Sequence, residues 1–116
     1  MPRITRPDTR TGDDGTTATT SGARVAKDSR QIHTFGAIDE LNSVIGMVIS
    51  HHTLSPDLIE ALLKIQNDLF HLGAEISSLD SPDDIPNFPC IEDRHIKHLE
   101  EIISNLYDEL GPLQNF

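Results

Sequence analysis

Nine consecutive residues, Thr9-Arg10-Thr11-Gly12-Asp13-Asp14-Gly15-Thr16-Thr17, combine two glycines, two adjacent carboxylates, four threonines and one arginine. Glycine admits φ > 0 and lets the backbone approach a ligand closely. Backbone N–H groups and hydroxyls in such a loop can cradle phosphate oxygens. Arg10 adds a planar fork suited to phosphate. Asp13 and Asp14 would repel phosphate unless a cation intervenes, and hard oxygen ligands beside phosphates suit Mg²⁺. Two readings stand on these residues alone: a site for nucleotide phosphates with a metal, or a tight Gly-Asp turn. Two familiar loops are excluded. Neither Gly12 nor Gly15 leads into the Gly-Lys-Ser/Thr of a P-loop. An EF-hand loop in this stretch would need oxygen ligands where Arg10 and Gly12 stand.

The elements that must position this loop follow it in the chain. Residues 1–30 have no apolar periodicity and read as an irregular loop or short extended segment. The β-branched Thr16, Thr17, Thr19 and Thr20 disfavour helix there, and the composition also suits disorder. From about Ile32 the pattern turns helical: Ile32, Phe35, Ile38, Leu41, Ile45, Val48 and Ile49 recur at spacings of three and four. Ser55-Pro56 is a start signal for a second helix, whose wide stripe from Leu58 through Leu69 to Ile76 predicts burial on more than one side. Residues 79–89 form a breaker-rich loop. A third helix is expected from about Asp93 to Leu110, stopped by Gly111-Pro112. With no strand of consequence, the fold class is all-α, an up-and-down helical bundle in a single domain, 1–116, with loop 1–30 and helical part 31–116.

Composition narrows the partners. Hydrophobic residues make up 36% of the chain and there is no Trp, so the core must be mainly aliphatic. No apolar run approaches the ~20 residues of a membrane span, and the N-terminus reads as having no signal peptide. The lone Cys90 has no intrachain partner, which fits a reducing, cytoplasmic compartment. A net charge of −10 argues against nucleic acid and anionic membrane. Residues 1–30 carry six basic and four acidic side chains, net +2, whereas residues 31–116 carry three and fifteen, net −12. A polyanion would therefore bind through the N-terminal segment.

The histidines weigh less. His51-His52 closes the first helix, where imidazolium favours the helix dipole. His95 and His98 have chelating spacing along the third helix, but no Cys is nearby and their acidic neighbours serve solubility. His71, inside the apolar second helix, reads as a hydrogen-bonded core or interface residue.

Beyond the first loop, four blocks stand in a telling order: Arg24-Val25-Ala26-Lys27-Asp28, Gly36-Ala37-Ile38-Asp39-Glu40-Leu41-Asn42-Ser43-Val44-Ile45-Gly46, Ile65-Gln66-Asn67-Asp68-Leu69-Phe70-His71-Leu72-Gly73, and Gly111-Pro112-Leu113-Gln114-Asn115-Phe116. With the Thr9–Thr17 loop they resemble the PduO-type ATP:cob(I)alamin adenosyltransferases, the corrinoid adenosyltransferase family. The resemblance implies a five-helix bundle, of which three long helices are present here, assembling as a homotrimer with active sites between subunits. It implies ATP, Mg²⁺ and cob(I)alamin or another reduced corrinoid, with a flavoprotein reductase as partner. Cobalt(I) attacks the 5′ carbon of ATP and expels triphosphate, giving adenosylcobalamin.

Carried over by position, Thr9, Arg10, Thr11, Gly12, Thr17, Ala18 and Lys27 are the ATP-binding residues that the resemblance implies. Asp39 matches a carboxylate that pairs with an arginine on a later helix near the corrinoid, and Phe116 an aromatic residue packed beside it. No side-chain nucleophile is assigned. Against these roles stand plain ones: a solvated Lys27, an exposed Asp39, a frayed Phe116.

The sequence departs from the family pattern at three places. Ala18-Thr19-Thr20-Ser21 stands where the family usually has a Gly followed by a short apolar or Gly-rich stretch, so altered phosphate geometry is expected where Ala cannot take φ > 0 cheaply. Pro7-Asp8 replaces an apolar-aromatic pair. The chain ends at Phe116, where the family continues into a helix rich in Arg and Glu. A truncated member, a fragment or a split gene product is expected from this, with impaired activity. A non-catalytic nucleotide-binding or oligomerising helical module is the alternative.

Overall fold

The structure, a computed structural model, describes residues 6, 8–51, 53–79, 89–112 and 114. Its elements are β1 (Thr16–Ala18), β2 (Arg24–Ala26), α1 (Arg30–Ser50), α2 (Pro56–Ser77) and α3 (Asp93–Leu110). The helices alternate in direction as in an up-and-down bundle: Gln31 at the start of α1 meets Ile76 at the end of α2, and Leu58 at the start of α2 shares a hollow with Leu106 near the end of α3.

Local chemistry sets the helix ends. The Ser29 hydroxyl accepts from the Ile32 N–H at 3.3 Å, starting α1 two residues before the first apolar position. Ser55 caps α2 in the same way through the Leu58 N–H, with Pro56 at the first helical position. Gly111, with φ 71°, closes α3 by donating its N–H to the Tyr107 carbonyl at 2.8 Å.

The N-terminal segment is more ordered than its composition predicts. Thr16, Thr17 and Ala18 pair antiparallel with Ala26, Val25 and Arg24. The connecting turn is held by the Thr19 N–H to the Ala23 carbonyl at 2.8 Å and contains Gly22 at φ 85°. Ala18 lies inside β1, and Arg10 is the one non-glycine with positive φ among the described residues. The distortion expected from replacing glycine at position 18 is therefore not seen, because this register requires no left-handed residue there. The hairpin docks on the end of α2 through the Ser77 hydroxyl, which accepts from the Thr20 N–H at 3.1 Å and the Thr20 hydroxyl at 2.6 Å.

α1 and α2 meet at Gly73, which is buried under the ring of Phe35. A Cβ built there would lie 3.3 Å from a Phe35 ring carbon. Two glutamines clamp the same pair. Gln31 Nε2 donates to the Ile76 carbonyl at 2.8 Å, and Gln66 Nε2 to the Asn42 carbonyl at 2.9 Å. α3 is tied to α2 near its start, where the Ile91 N–H donates to Glu75 Oε2 at 2.9 Å.

Burial is shallow. No apolar side chain among the described residues is fully buried. The wide stripe of α2 is half-covered, and Phe70 remains 68% exposed, as do Met47 on α1 (64%) and Ile103 on α3 (64%). These faces lack partners within the described chain. Because Gly73 sets the α1–α2 separation, Gly73→Val should force Phe35 aside and destabilise the fold by about 1–3 kcal/mol. Urea unfolding checks this, and an unchanged midpoint would show that Phe35 yields freely.

Candidate functional site

The Thr9–Thr17 loop and the end of β2 enclose an open cavity of about 380 Å³. Thr9, Arg10, Thr11, Gly12, Thr17 and Lys27 all line it, together with Asp8 and Asp13. The hairpin brings Lys27 there from outside the loop. Its N–H bonds to the Gly15 carbonyl at 2.9 Å, one step beyond the strand pairing. A Cβ at Gly12 would lie 2.9 Å from both Lys27 Nζ and the Thr16 carbonyl oxygen. Position 12 therefore has to be glycine for the ammonium to sit over the loop.

The two adjacent carboxylates have different surroundings. Asp14 Oδ1 accepts from the Thr16 N–H at 2.9 Å and the Thr16 hydroxyl at 2.7 Å, the side-chain turn typical of Asp two residues before its donor. These two bonds, with the Arg24 guanidinium behind them, hold the Asp14 carboxyl below the usual carboxylate range. Asp13 lines the cavity, and among the described residues its carboxylate accepts no hydrogen bond. Asp8 also faces the cavity but is paired with Arg6 at 2.8 Å, which lowers its pKa.

Arg24 organises the loop from beneath. It donates to the Thr11 carbonyl at 2.6 Å and to the Thr16 hydroxyl at 2.6 and 2.9 Å, and lies 3.4 Å from Asp14. Arg24 belongs to the Arg24–Asp28 block, whose spacing gives no sign of this role. The Asp14-x-Thr16 spacing was the signal available for separating Asp14 from Asp13. Among the described residues, the Thr11, Gly12 and Asp14 N–H groups donate no hydrogen bond, and neither Arg10 nor Lys27 has an ion-pair partner. Arg10 holds φ 57°, a left-handed conformation costing an L-residue roughly 1–2 kcal/mol. Unpaired cations, unused N–H donors and local strain thus coincide at one anion-ready loop.

Ala18 does not join this cavity. It borders a second hollow of about 230 Å³ between the hairpin and the α1–α2 pair, with Thr17, Phe35 and Ser77. Asp39, exposed on α1, borders a third of similar volume with Phe35, Asn42, Phe70, Gly73 and Ser77. Thr17 is common to the first two hollows, and Phe35 and Ser77 to the second and third. A continuous wall therefore runs from the loop to Asp39. Phe116 lies outside the described residues.

Comparison with known proteins identifies the family and the fold. A model of the cobalamin adenosyltransferase family matches residues 8–116, and the chain belongs to that family. It is 38% identical over 114 residues to a cobalamin adenosyltransferase from Cupriavidus metallidurans, covering 98% of this chain and 58% of that protein. It is 36% identical over 117 residues to a corrinoid adenosyltransferase from Mycobacterium leprae, covering 97% and 61%. The chain thus spans about three-fifths of the length of these relatives. A variant PduO-type adenosyltransferase from Lactobacillus reuteri complexed with ATP superposes with a TM-score of 0.74 at 29% identity, covering 92% of this chain and 58% of that one. Another variant from that organism, complexed with cobalamin and ATP, shares the fold with a TM-score of 0.83 at 24% identity, over 96% and 61%.

The Asp14 linkage has a definite sign. Its folded-state pKa is lowered, so the order it lends the loop is complete above the ordinary carboxylate pKa of about 3.9 and is lost as pH falls through the lower folded value. The Thr16 amide resonance should be flat at neutral pH and titrate only below about 3.9. Asp14→Asn should abolish that titration, whereas a midpoint at or above the ordinary value would remove the Thr16 bonds as its cause.

Proposed function

We propose that this chain binds ATP through residues 9–27 and serves the transfer of its 5′-deoxyadenosyl group to the cobalt of a reduced corrinoid. The continuous wall from the cationic loop through the hairpin hollow to Asp39 carries this reading. It provides ends of different chemistry for two substrates. The names of the relatives support it, as do the Lactobacillus reuteri structures that contain ATP and cobalamin.

In the reaction the electron pair of cobalt(I) forms the bond to C5′. The C5′–O bond breaks and its pair leaves with triphosphate, so cobalt is formally oxidised by two electrons. Cobalt is the nucleophile, and the protein's task is positioning and charge stabilisation. Arg10 and Lys27 would bind the triphosphate, one as a fork and one as a point charge, with the free N–H groups of Thr11 and Gly12 beneath. Thr9 and Thr17 would add hydroxyls, and Ala18 the wall beside the nucleoside. Asp39 and Phe116 belong to the corrinoid side.

Mg²⁺ fits this donor set. The Asp13 carboxylate accepts no hydrogen bond among the described residues and shares the cavity with three threonines. Asp13 with the Thr9 or Thr17 hydroxyl would hold the ion, which offsets phosphate charge when bound. The proposed assembly is a homotrimer, and the exposed apolar residues Met47, Phe70 and Ile103 call for a covering partner of some kind. A flavoprotein reductase would supply the reduced corrinoid. Among the described residues no helix is long and apolar enough to cross a membrane.

Lys27→Ala should weaken ATP binding by about 1–3 kcal/mol, the range for a charge-assisted contact. Calorimetry checks this, and unchanged affinity would remove Lys27 from the site. Anaerobic incubation of this chain with ATP and reduced cobalamin should yield the visible spectrum of adenosylcobalamin slowly at best, in line with the impaired activity expected for a chain that spans about three-fifths of its relatives. ATP binding without that spectrum would restrict the chain to nucleotide binding.

A further inference from the structure

On the opposite side of α2 from the hairpin, three metal-ligating side chains converge where α3 begins. Asp68 and His71 stand three apart on α2, and His95 reaches across from the first turn of α3. One donor atom of each lies within 4.8 Å of the others. The sequence pattern paired His95 with His98 along α3, but the fold turns His95 inward to α2.

The donors are buried and unused. His95 is 6% exposed, and its Nε2 stands 3.8 Å from Asp68 Oδ1, beyond hydrogen-bond reach. Among the described residues, buried Asp68 Oδ2 and His71 Nδ1 have no hydrogen-bond partner. Beside Asp68 and His95 opens a cavity of about 320 Å³ walled by Ile65, Leu69, Leu72, Ile91, Ile96 and Leu99. Native folds rarely leave neighbouring buried polar atoms without partners in such apolar surroundings.

We propose that Asp68, His71 and His95 bind a divalent d-block ion of the zinc class, which pins the start of α3 to α2. Two imidazoles and a carboxylate are a borderline donor set that suits zinc and disfavours Mg²⁺. Two donors about 2.1 Å from a tetrahedral ion stand roughly 3.4 Å apart. The 3.8 Å gap between His95 and Asp68 is thus close to the bound spacing without an ion.

A second-shell acceptor for His95 is within reach, at the cost of the capping bond that Nδ1 accepts from the Glu92 N–H. His95 Nδ1 lies 3.2 Å from the Glu92 carbonyl oxygen and 2.8 Å from the Glu92 N–H. In the ion-free form Nδ1 accepts from that N–H. With the ion on Nε2, Nδ1–H would donate to the carbonyl, the usual support for a ligating histidine.

The test uses the metal-free 116-residue chain and Zn²⁺ alone, with Co²⁺ as a spectroscopic probe. We expect a single ion per chain, visible d–d bands of low-coordinate Co²⁺, and a higher Tm with Zn²⁺ but not with Mg²⁺. His71→Gln or Asp68→Asn should lower Zn²⁺ affinity by more than the ~10–100-fold typical of second-shell loss. His98→Gln should leave it unchanged. His71→Gln removes a ring nitrogen that bonds to nothing in the described chain, so that variant should still fold. Lys27→Ala should not alter zinc affinity, which separates this site from the ATP reading. Absence of stoichiometric Zn²⁺ binding by the folded chain would overturn the proposal and leave water or a shared proton between Asp68 and His95. Undiminished affinity in both His71→Gln and Asp68→Asn would overturn it equally.

Discussion

The close approach of α1 and α2 at Gly73 governs the rest of the molecule. Phe35 can approach α2 this closely only because position 73 has no side chain. That contact brings Gln31 within reach of the Ile76 carbonyl and Gln66 within reach of the Asn42 carbonyl. The end of α2 then offers Ser77 to Thr20, which fixes the hairpin. The hairpin in turn carries Lys27 to Gly12. A helix–helix contact in the bundle thus sets the position of a cationic loop that is irregular in itself.

Electrostatics make that placement consequential. The helical part carries a net −12, and the +2 segment would be a weak attractor if its charges were scattered. The fold concentrates them. Arg24 and Arg6 are consumed by Asp14 and Asp8, which leaves Arg10 and Lys27 facing one cavity. Exposed ion pairs add little stability. Here their effect is to sort which charges stay available to a ligand.

Much of the bundle was legible in the chain because its signals are local. Ser55-Pro56 and Gly111 mark helix ends through bonds made within a few residues. The hairpin was not legible, because its three-residue strands are too short for periodicity and its anchor at Ser77 is 57 residues from Thr20. Six of the seven residues expected on the ATP side meet in one cavity, and Ala18 instead lines the next, since its strand direction carries it past the loop. His71 read as hydrogen-bonded, yet its buried Nδ1 has no partner in the described chain. Sequence spacing relates residues along one helix, and the neighbour that matters to His71 is on another.

The two faces of α2 therefore meet different demands. One face carries Gly73 and Ser77, where small side chains let α1 and the hairpin come close and leave hollows along their seam. The other carries Asp68 and His71, polar groups inside an apolar wall beside α3. A helix with buried polar donors on the side away from that seam would gain little from burying them for packing alone, since desolvation without a partner is unfavourable. Their position, at the turn of α2 that faces the start of α3, is where a cross-link between helices has most leverage. Just before α3 the Ile91 N–H is bonded to Glu75 of α2, and Ile65, Leu69 and Leu72 face Ile96 and Leu99 across the cavity beside it. The same helix can thus be close-packed against α1, which shapes the seam, and held to α3 by directional polar contacts where apolar burial is shallow.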